Sequence, residues 1–397
     1  MEIISPKKCT GCGACMAVCS AKAIEMKIAE DGFRYPRVND QLCTRCGQCV
    51  KICRSQENGR TPLQAYAALG HHAALVERSA SGGVFATLAH QCVEKGGMVA
   101  GVVLERTADG FQVFHAIAEK PEALTAMQGS KYVQSDAWRC YPAILEALNS
   151  GNTVLFSGTP CQVSAVKRLT GNPDNLITMD LICHGVPSGT MLNQYARILG
   201  RRLGGRLNHI RFRDKSCKKS FCAEIGLMRF GKVHTYRLSS SLMSFYRLFL
   251  KGSIYRSSCY TCPYAKQQRV GDLTIGDYWG VEEKHAEDFA SGRMEKRSDW
   301  SCVLVNSEKG AAFLQSCADD LSLIPSRVEW VAAKNQQLNA PSPEPPEREI
   351  MMHDYQRHGY GALERAFVKE SGGWLKYRWR MLKNLRQNQK RSLENKG

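Results

Sequence analysis

The first 53 residues contain eight cysteines, arranged as two copies of one spacing. Each copy has the form C-x2-C-x2-C-x3-C, and the eight positions are Cys9, Cys12, Cys15, Cys19, Cys43, Cys46, Cys49 and Cys53. Three thiolates separated by two residues can wrap around one corner of a [4Fe-4S] cubane, and a fourth cysteine one helical turn later points away from that loop. The spacing therefore predicts two [4Fe-4S] clusters, each of which takes its fourth ligand from the other copy.

This crossed arrangement assigns every cysteine of the segment to one cluster. We expect one cluster to be bound by Cys9, Cys12, Cys15 and Cys53, and the other by Cys43, Cys46, Cys49 and Cys19. Structural zinc sites also use C-x2-C pairs, but they need a longer gap between the pairs. A disulfide scaffold would need an oxidising compartment, for which the sequence gives no signal. Ser20 and Arg54 replace the proline that often follows the fourth cysteine, which removes no ligand.

The composition indicates an intracellular chain with more than one domain. With 397 residues, of which 43% are hydrophobic, we expect two or three domains and a substantial buried core. The N-terminal MEIISPKKC has no apolar segment of the signal-peptide type, and no run of about 18 apolar residues could cross a membrane. Because eighteen cysteines in such a chain favour metal sites or reduced thiols, we expect a cytoplasmic location.

The formal net charge of +17 suggests an acidic partner. Metal sites offset part of this charge, because two clusters with four thiolates each would remove about four charges and three clusters about six. The remainder suits an acidic electron carrier, such as a ferredoxin, or a phosphate-bearing cofactor as well as it suits DNA. No RNP, helix-turn-helix or zinc-finger signature is present, so a nucleic-acid partner is not favoured.

The chain divides into three segments. We expect residues 1–58 to form an α+β, ferredoxin-like two-cluster module, followed by a polar linker from Gln56 to Leu63. Residues 64–330 alternate strand-like and helical runs, as in NTVLFSG, PCQVSAVKRL and NLITMDLIC, which predicts an α/β domain. Two half-alternating runs within Ala223–Leu238 predict an inserted β-hairpin. Residues 331–397 contain an extended connector, Asn339–Glu349, and a basic C-terminal helix.

The C-terminal tail from Trp374 interleaves basic and apolar side chains. The basic residues are Lys376, Arg378, Arg380, Lys383, Arg386, Lys390, Arg391 and Lys396, and the apolar ones are Trp374, Tyr377, Trp379, Met381, Leu382 and Leu385. One interpretation is a solvated helix that packs its aromatic stripe on the body of the protein. The other is an amphipathic helix on an anionic membrane surface, which would place the protein peripherally at the inner face of the membrane.

Four cysteines of the second half occur where an α/β fold can gather ligands. Cys161 follows a strand in SGTPCQ, Cys183 ends the next apolar strand in DLICHGVPSG, and Cys259 and Cys262 form a C-x2-C pair in CYTCPYA. The carboxyl ends of such strands meet at the edge of the sheet where α/β folds build their sites. Spacing alone leaves two alternatives open, a metal site or buried apolar cysteines. We assign Cys92, Cys140, Cys302 and Cys317 to packing and leave Cys217 and Cys222 unassigned.

Six motifs occur in order along this half: RSASGGVFATLA, GSKYVQS, FSGTPCQVSAVKRL, DLICHGVPSG, CYTCPYA and RVGDLTIGDYWG. Together they resemble the coenzyme F420 hydrogenase/dehydrogenase beta-subunit family, in particular its bacterial branch with a fused two-cluster ferredoxin domain. The resemblance implies a catalytic domain with FAD and a third [4Fe-4S] cluster, whose ligands would be Cys161, Cys183, Cys259 and Cys262. Relatives reduce a deazaflavin or groups on chlorophyll precursors, and neighbours of the bacterial branch belong to surface-polysaccharide pathways. The stretch FRDKSCKKSF lacks the Gly-Trp pair expected in the family, which leaves the substrate open.

The implied flavin site has a physical basis in the segment SASGGVF. Its four candidate residues, which precede a predicted helix, are Ser79, Ser81, Gly82 and Gly83. The free N–H groups and the dipole at the start of a helix suit a diphosphate. A Ser-Gly-Gly sequence also makes an ordinary helix N-cap, so the segment alone does not decide between the two.

Three further residues are candidates for catalysis or cofactor binding. Lys131 could donate to the flavin or to a developing substrate anion, or it could be a solvated surface lysine. His184 could relay a proton or make a supporting hydrogen bond behind the cluster ligands. Asp277 could hold ribityl or ribose hydroxyls, or belong to a strand and turn before a buried Trp279.

The predicted function is an iron–sulfur flavoprotein oxidoreductase. Clusters would accept electrons from ferredoxin, and FAD would deliver a hydride equivalent to a small organic substrate, since clusters cannot transfer hydride. A role in surface-polysaccharide metabolism is an extension of the resemblance. The alternatives are a non-catalytic electron-transfer subunit and a basic nucleic-acid binder with structural clusters. The direction of electron flow, the use of F420 and the oligomeric state are not predicted.

Overall fold

The computed structural model describes residues 2–54, 58–215, 217, 221–296 and 299–394, and it describes only the backbone of Arg54 and of residues 388–394. Parts of three predicted segments lie outside these residues. They are Gln56 and Glu57 of the linker, Ser216 and Lys218–Ser220 of FRDKSCKKSF, and Lys396 of the tail. The side chains of Lys390 and Arg391 also lie outside the described part.

The described residues form thirteen strands and sixteen α-helices, together with short 3-10 turns. The strands are β1 (Ile24–Ile28), β2 (Arg34–Val38), β3 (Gln64–Gly70), β4 (Met98–Arg106), β5 (Phe111–Ala118), β6 (Val154–Gly158), β7 (Leu176–Leu181), β8 (Arg206–Arg211), β9 (Cys222–Arg229), β10 (Lys232–Ser239), β11 (Leu273–Asp277), β12 (Ser301–Val305) and β13 (Leu321–Ser326). The helices are α1 (Ala14–Ala17), α2 (Gln48–Arg54), α3 (Ala73–Arg78), α4 (Val84–Glu94), α5 (Pro121–Leu124), α6 (Tyr141–Asn149), α7 (Pro160–Thr170), α8 (Gly189–Leu203), α9 (Ser244–Leu250), α10 (Val281–Lys284), α11 (Ala286–Ala290), α12 (Glu308–Gln315), α13 (Val328–Lys334), α14 (Arg348–His358), α15 (Tyr360–Glu370) and α16 (Gly373–Glu394).

Residues 2–54 form a small unit around the eight N-terminal cysteines. β1 and β2 pair antiparallel, with Ile24 opposite Val38. In both copies of the cysteine spacing the third cysteine is the second residue of a helix, because α1 contains Cys15 and α2 contains Cys49. The two helices pack against each other, so the repeat in the sequence is also a repeat in the structure.

An eight-stranded mixed sheet forms the main body, in the order β13-β3-β12-β11-β7-β6-β4-β5. The four strands β11, β7, β6 and β4 run parallel to their neighbours within this group, whereas the outer strands join antiparallel. β6 is buried along its whole length, as expected for a parallel strand covered on both faces. The prediction of a mixed α/β body is confirmed. Because the four central strands are parallel, their carboxyl ends lie at one edge of the sheet.

Two helices begin near that edge, and side chains cap both of them. Thr159 and Gln162 form a capping box at the start of α7, and Pro160 occupies the first turn, where its missing N–H leaves no donor unpaired. The hydroxyl of Ser188 accepts a hydrogen bond from the Met191 N–H at 3.1 Å at the start of α8. These caps fix the start of α7, which contains Cys161, and the end of the loop between β7 and α8, which contains Cys183.

A second, antiparallel sheet has the order β10-β9-β8. The predicted hairpin is present as β9 and β10, which pair from Cys222 opposite Ser239 to Arg229 opposite Lys232. β8 adds a third strand that the sequence analysis does not include, because RLNHIR has no clear alternation of apolar and polar residues. Cys217 and Cys222, unassigned from the sequence, form a disulfide bond at the beginning of β9.

The C-terminal segment contains more helix than predicted. α14 begins at Arg348, so the extended connector ends before Glu349, and α15 precedes the basic helix α16. The connector ends there because the prolines of PSPEPP stop at Pro346, after which helix-forming residues follow. Among the described residues, no helix has the length and apolar character needed to span a membrane.

Candidate cluster and cofactor site

The N-terminal cysteines form two groups that exchange their fourth members. Burial, followed by the neighbouring Cys12, Cys9 and Cys53, raises the pKa of the Cys15 thiol above its usual range. Burial raises the pKa of Cys53 to about 11, and Cys12 and Cys9 act in the same direction. Cys53 of the second copy therefore lies beside three cysteines of the first copy, which is the grouping expected from the spacing.

The other four N-terminal cysteines border one small cavity, which is lined by Cys19, Cys43, Cys46 and Cys49. Burial raises the pKa of Cys49, and Cys19 and Cys43 raise it further. The Ala23 N–H donates to the sulfur of Cys19 at 3.3 Å. Such main-chain hydrogen bonds to sulfur are one of the means by which proteins adjust an iron–sulfur cluster.

A third group of four cysteines lies in the main body, where Cys161, Cys183, Cys259 and Cys262 line one cavity. Burial raises the pKa of Cys161 to about 12, and Cys262 and Cys259 act in the same direction. Burial, then Cys259, Cys161 and Cys262, raises the pKa of Cys183 well above its usual range. Buried thiols that crowd in this way become thiolates readily only when a metal centre stabilises the charge. The fold brings these four residues together from three separate segments.

Among the described residues, no three His, Cys, Asp or Glu side chains converge on a position for a single metal ion. A tetrahedral zinc site needs thiolates about 2.3 Å from one point. The four irons of a cubane occupy different corners, so its thiolates surround a volume instead of meeting at a point. The second and the third cysteine groups fit this second description, because each of them borders a cavity.

The cysteine groups follow one another through the molecule. Cys49 of the second group contributes to the raised pKa of Cys53 in the first, after burial, Cys12 and Cys9. Cys12 of the first group contributes to the raised pKa of Cys161 in the third, after burial and Cys262. α1 packs against α7, the helix that contains Cys161. The Tyr141 hydroxyl, which donates to the Cys12 carbonyl at 2.8 Å, holds the two modules together at this point.

Arg256 lies between the first and third groups and is fully buried, at 0% exposed. Its guanidinium donates to the Cys9 sulfur at 3.5 Å and to the Arg34 carbonyl at 2.8 Å. The Tyr35 ring lies 4.3 Å from it in a cation–π contact. A Cβ on Gly11, whose φ is +68°, would lie 2.9 Å from Arg256 Nη1, so glycine permits this close approach. Arg256 is not among the residues predicted from the sequence. Its position three residues before Cys259 of the C-x2-C pair was the feature that could have indicated a role near the cysteines.

A larger cavity of about 290 Å³ lies at the carboxyl edge of the parallel strands. It is bordered by the ends of β6, β7 and β11 and by the start of α4. Six of the predicted site residues line it: Ser79, Ser81, Gly83, Lys131, His184 and Asp277. Cys161 and Cys183 line it as well, so two members of the third cysteine group form part of its wall. Its volume is near the lower end of the roughly 300–1,000 Å³ of typical ligand pockets.

The Ser-Gly-Gly turn presents the start of α4 to this cavity. Gly83 precedes the helix with φ +83°, and no side chain caps it, so the first N–H groups of the helix have no partner from a cap. Gly82 does not line the cavity. Its N–H donates to the Ser301 hydroxyl at 2.9 Å, and a Cβ there would lie 2.4 Å from the Ala68 carbonyl oxygen. Close packing on the sheet therefore explains Gly82 better than cofactor contact does.

Lys131 is half-buried at the cavity wall and is not a fully solvated surface lysine. Burial lowers the pKa of its amine to about 7. Its Nζ donates to the Gln128 carbonyl at 2.8 Å. A lysine that changes protonation near neutral pH inside a cavity is suited to transfer a proton or to face an anion.

His184 and Asp277 occupy the same cavity. Burial lowers the pKa of His184, which Asp277 partly offsets. Asp277 Oδ2 lies 3.5 Å from Nη1 of Arg213, whose guanidinium lies 5.7 Å from the Trp279 ring. Trp279 is 36% exposed, so the alternative of a buried tryptophan at this position is wrong. The indole covers Arg213 at the surface instead of filling the core.

A buried ion pair positions the third cysteine group, and the sequence analysis did not single it out. Asp180 near the end of β7 is 0% exposed, and its Oδ1 lies 2.8 Å from Nη2 of Arg269. Arg269 also donates to the Tyr264 carbonyl at 2.9 Å and to the Leu181 carbonyl at 3.0 Å. The pair therefore ties the loop after Cys262 to the strand before Cys183. Asp180 and Arg269 are the first residues of the motifs DLICHGVPSG and RVGDLTIGDYWG. A charged residue at the edge of an apolar run was the feature of the sequence that could have indicated the pair.

The four cysteines that the sequence analysis assigned to packing are Cys92, Cys140, Cys302 and Cys317, and all four are buried as free thiols. Cys302 lies on β12 and its sulfur donates to the Asp277 carbonyl at 3.7 Å. None of the four lines the cavity of the third cysteine group within the described part of the chain.

Comparison with known proteins gives matches along most of the chain. Two family models describe the beta subunit of coenzyme F420 hydrogenase/dehydrogenase. The model of its N-terminal part matches residues 65–139, and the model of its C-terminal part matches residues 151–327. A 4Fe-4S dicluster domain matches residues 8–56. No curated protein matches.

Thirteen chains of solved structures match, and one of them comes from the xenon-derivatised F420-reducing [NiFe] hydrogenase complex of Methanosarcina barkeri. It is 15% identical, the match covers 79% of this chain and 92% of that one, and the TM-score is 0.46. The family models cover the segments that the quoted motifs occupy, so the resemblance found in the sequence is confirmed. The chain belongs to the coenzyme F420 hydrogenase/dehydrogenase beta-subunit family of redox proteins and has an N-terminal 4Fe-4S dicluster domain.

Proposed function

We propose that this protein is an iron–sulfur flavoprotein oxidoreductase with three [4Fe-4S] clusters and one FAD. It exchanges electrons with an acidic carrier such as ferredoxin and acts on a two-electron organic substrate in the cytoplasm. Residues 1–58 form the two-cluster domain, 64–330 the flavin domain and 331–397 the C-terminal extension. A substrate from surface-polysaccharide metabolism is the part of the proposal that depends on the resemblance alone.

One observation mainly supports the proposal. Cys161 and Cys183 are members of the third cysteine group and also line the large cavity. A cluster held there would lie directly at the cavity wall. Cys12 lies beside Cys161, so the first N-terminal group is its neighbour on the other side. With clusters bound, the three cysteine groups would form a series of redox sites that leads to the large cavity, which is the support for the proposal.

The residues around the cavity fit a flavin. The uncapped start of α4 offers N–H groups and the positive end of a helix dipole to a diphosphate. Lys131 adds a buried amine that has only a carbonyl as its hydrogen-bond partner in the described contacts. Asp277 supplies a carboxylate that can accept hydrogen bonds from hydroxyl groups. These groups meet the needs of an anionic, polyhydroxylated cofactor with a flat apolar ring.

When bound, the clusters supply one-electron transfer and FAD supplies the transfer of a hydride equivalent. The chain's own residues hold these groups and control protons. The twelve cysteines would hold the clusters, and the ends of β6, β7 and β11 form the wall of the cavity. Burial lowers the pKa of the Lys131 amine to about 7, which suits it to give or take a proton at Nζ, and burial also lowers the pKa of the His184 imidazole. Arg213 holds the Asp277 carboxylate in place.

The test is to purify the protein without oxygen and to quantify iron, sulfide and flavin on the same sample. We expect about twelve irons and one FAD per chain. Addition of reduced ferredoxin should then bleach the flavin absorbance, and reduced flavin should conversely reduce an oxidised carrier. A content of about eight irons, or a preparation that binds no flavin, would contradict the proposal.

The same experiment separates the enzyme from a pure electron-transfer protein. A protein with clusters but without flavin would pass electrons to a partner and act on no organic substrate. A protein with both, in which no electrons pass between ferredoxin and flavin in either direction, would show that the series of sites is interrupted. The first result would favour a non-catalytic electron-transfer protein over an enzyme. The second result would show that ferredoxin is not the electron carrier.

A further inference from the structure

The C-terminal helix α16 has two apolar faces. On one face Tyr377 and Met381 are 0% and 4% exposed and pack into the core, where α16 lies against α15 and β10. The Tyr377 hydroxyl donates to the Leu242 carbonyl at 2.9 Å, and Arg380 donates to the Ser241 hydroxyl at 3.1 Å. This face attaches the helix firmly to the body of the protein.

The opposite face is also apolar, and it is exposed. Leu375 is 81% exposed, Trp379 is 62% exposed and Leu382 is 45% exposed. Their spacing of four and three residues places them in one stripe. Leu375 stands two residues before Tyr377, which is about 200° around a helix with 3.6 residues per turn. An amphipathic helix that only covers a core has polar residues at these positions, so packing on the body does not explain the stripe.

Basic side chains border the exposed stripe on both sides. They are Lys376, Arg378, Lys383 and Arg386, and all four are exposed. Within the described residues, none of the four forms an ion pair with a carboxylate of this chain. The Lys383 amine lies 5.1 Å from the Trp379 ring, so the positive charge is adjacent to the most prominent apolar group. From Gly373 to Gln387 the helix contains no acidic residue.

We propose that this face of α16, defined by Leu375, Trp379 and Leu382 with their basic neighbours, docks the protein on an anionic lipid bilayer. The helix lies in the plane of the interface, with the apolar stripe among the acyl chains and the lysines and arginines at the headgroups. Tryptophan prefers this boundary, because its ring is apolar and its N–H is polar. The docking is peripheral, and no described helix is suited to span a membrane.

The charge around the exposed stripe distinguishes an anionic bilayer from a second copy of this chain as the surface that covers it. A second copy of this chain would bring the same four basic side chains against their counterparts, which is repulsive in a symmetric interface. Protein interfaces also tend to exclude lysine from their centre. An anionic surface instead attracts every basic residue that comes close to it. The positive border and the exposed apolar stripe together therefore favour anionic lipid over a second copy of this chain.

The test uses the full-length protein with its clusters, purified without oxygen, and two kinds of vesicle. One kind contains phosphatidylcholine alone and the other contains phosphatidylcholine with phosphatidylglycerol. We expect co-sedimentation with the anionic vesicles, at least about tenfold weaker binding to the neutral ones, and release at high salt. Tryptophan emission should shift to shorter wavelength on binding, because Trp379 enters an apolar medium.

Two variants separate the contributions. Leu375→Ser, Trp379→Ser and Leu382→Ser together should abolish co-sedimentation and the emission shift. Lys376→Gln, Arg378→Gln, Lys383→Gln and Arg386→Gln together should remove the preference for anionic vesicles. Leu63→Ser, which replaces a residue that is 53% exposed on another part of the surface, is the matched control and should bind as the unaltered protein does.

Iron content and circular dichroism should be the same in all four proteins, since every substituted side chain is at the surface. Absence of vesicle binding by the unaltered protein would overturn the proposal, as would equal binding by the triple serine variant. Sedimentation equilibrium without vesicles tests the alternative that a second copy of this chain binds to the exposed stripe. A self-association that the triple variant abolishes, in a protein that ignores vesicles, would assign the face to a second copy.

Discussion

The N-terminal module and the main body gather cysteines in different ways. In the module, three members of each group come from one loop and the start of the helix that follows it, and only the fourth comes from the other copy. In the main body, Cys161, Cys183 and the Cys259–Cys262 pair come from three segments that meet because β6, β7 and β11 lie side by side in the sheet. The first arrangement depends on local spacing, and the second depends on the whole fold. The convergent group should therefore be the more sensitive of the two to changes at a distance.

The largest effect is expected from breaking the convergent group directly. Cys161→Ser should lower the iron content by about four per chain and prevent reduction of the cavity's flavin by ferredoxin, while the eight N-terminal irons remain. Iron analysis and stopped-flow absorbance measure the two effects. Cys140→Ser, at another buried free cysteine, is the control and should retain all the iron. Full iron content in Cys161→Ser would mean that the third group binds no cluster.

A break at a distance should also disturb the convergent group. Asp180→Ala leaves Arg269 buried without its partner, which should reduce the free energy of unfolding by roughly 3–5 kcal/mol. Because Arg269 ties the loop after Cys262 to β7, third-site iron should be lost more readily as well. Urea denaturation with parallel iron analysis measures both. Glu25→Gln breaks the exposed pair with Lys27 and should change neither quantity.

The cavity makes a prediction about pH that does not require the substrate. Burial lowers the pKa of Lys131 from 10.5 to about 7, so between these values the unfolded chain binds a proton that the folded chain does not. Stability of the flavin-free protein should therefore rise with pH through this window, and the burial penalty is fully present below pH 7. Lys131→Met should be more stable than the unaltered protein at pH 6 and equal to it near pH 10.5. Denaturation at the two pH values tests this prediction. A stability difference between the two proteins that does not change with pH would show that the Lys131 amine does not have a lowered pKa in the folded protein.

In the flavin-loaded protein the sign of the Lys131 effect should reverse. The amine then faces an anionic cofactor, so Lys131→Met should weaken flavin retention, which dialysis with fluorescence detection measures. Lys131→Arg keeps the charge and serves as the comparison. Unchanged retention in Lys131→Met would place the lysine away from the cofactor.

The smallest effect is expected at the contact between the two regions. Arg256→Met removes a positive charge beside Cys9, so the cluster at Cys9, Cys12, Cys15 and Cys53 should become harder to reduce, by on the order of tens of millivolts. Arg256→Lys keeps the charge and should shift the potential less. Redox titration followed by electron paramagnetic resonance measures the change, and identical potentials in the two variants would show that packing alone matters here.

The sequence predicted the local features better than the convergent ones, for physical reasons. The spacing of Cys9–Cys19 defines a loop and a helix without reference to the rest of the chain, so the two N-terminal groups followed from it directly. Cys161 and Cys183 could be placed at strand ends, but only the parallel order of β6, β7 and β11 makes them neighbours. The Ser-Gly-Gly turn predicted the helix start, yet the partners of Gly82 lie on β12 and β3, more than 200 residues away in the case of Ser301.

Buried charges were the main omission. Arg256, Arg269 and Asp180 are nearly inaccessible to solvent, and sequence patterns treat charged residues as surface by default. Each is paired or hydrogen-bonded across modules or loops, which only the three-dimensional arrangement reveals. The helix α15 was missed for a related reason, because it packs on α8 and α9, which lie far earlier in the chain.

The shared position of Cys161 and Cys183 has a consequence for handling the protein in air. Both residues form part of the wall of the large cavity, so dioxygen that enters the empty cavity would meet a cluster held by them without any intervening layer of protein. A flavin that fills the cavity would block this access of dioxygen. Preparations stripped of flavin should therefore bleach and lose iron in air faster than loaded ones, with the N-terminal clusters decaying at the same rate in both.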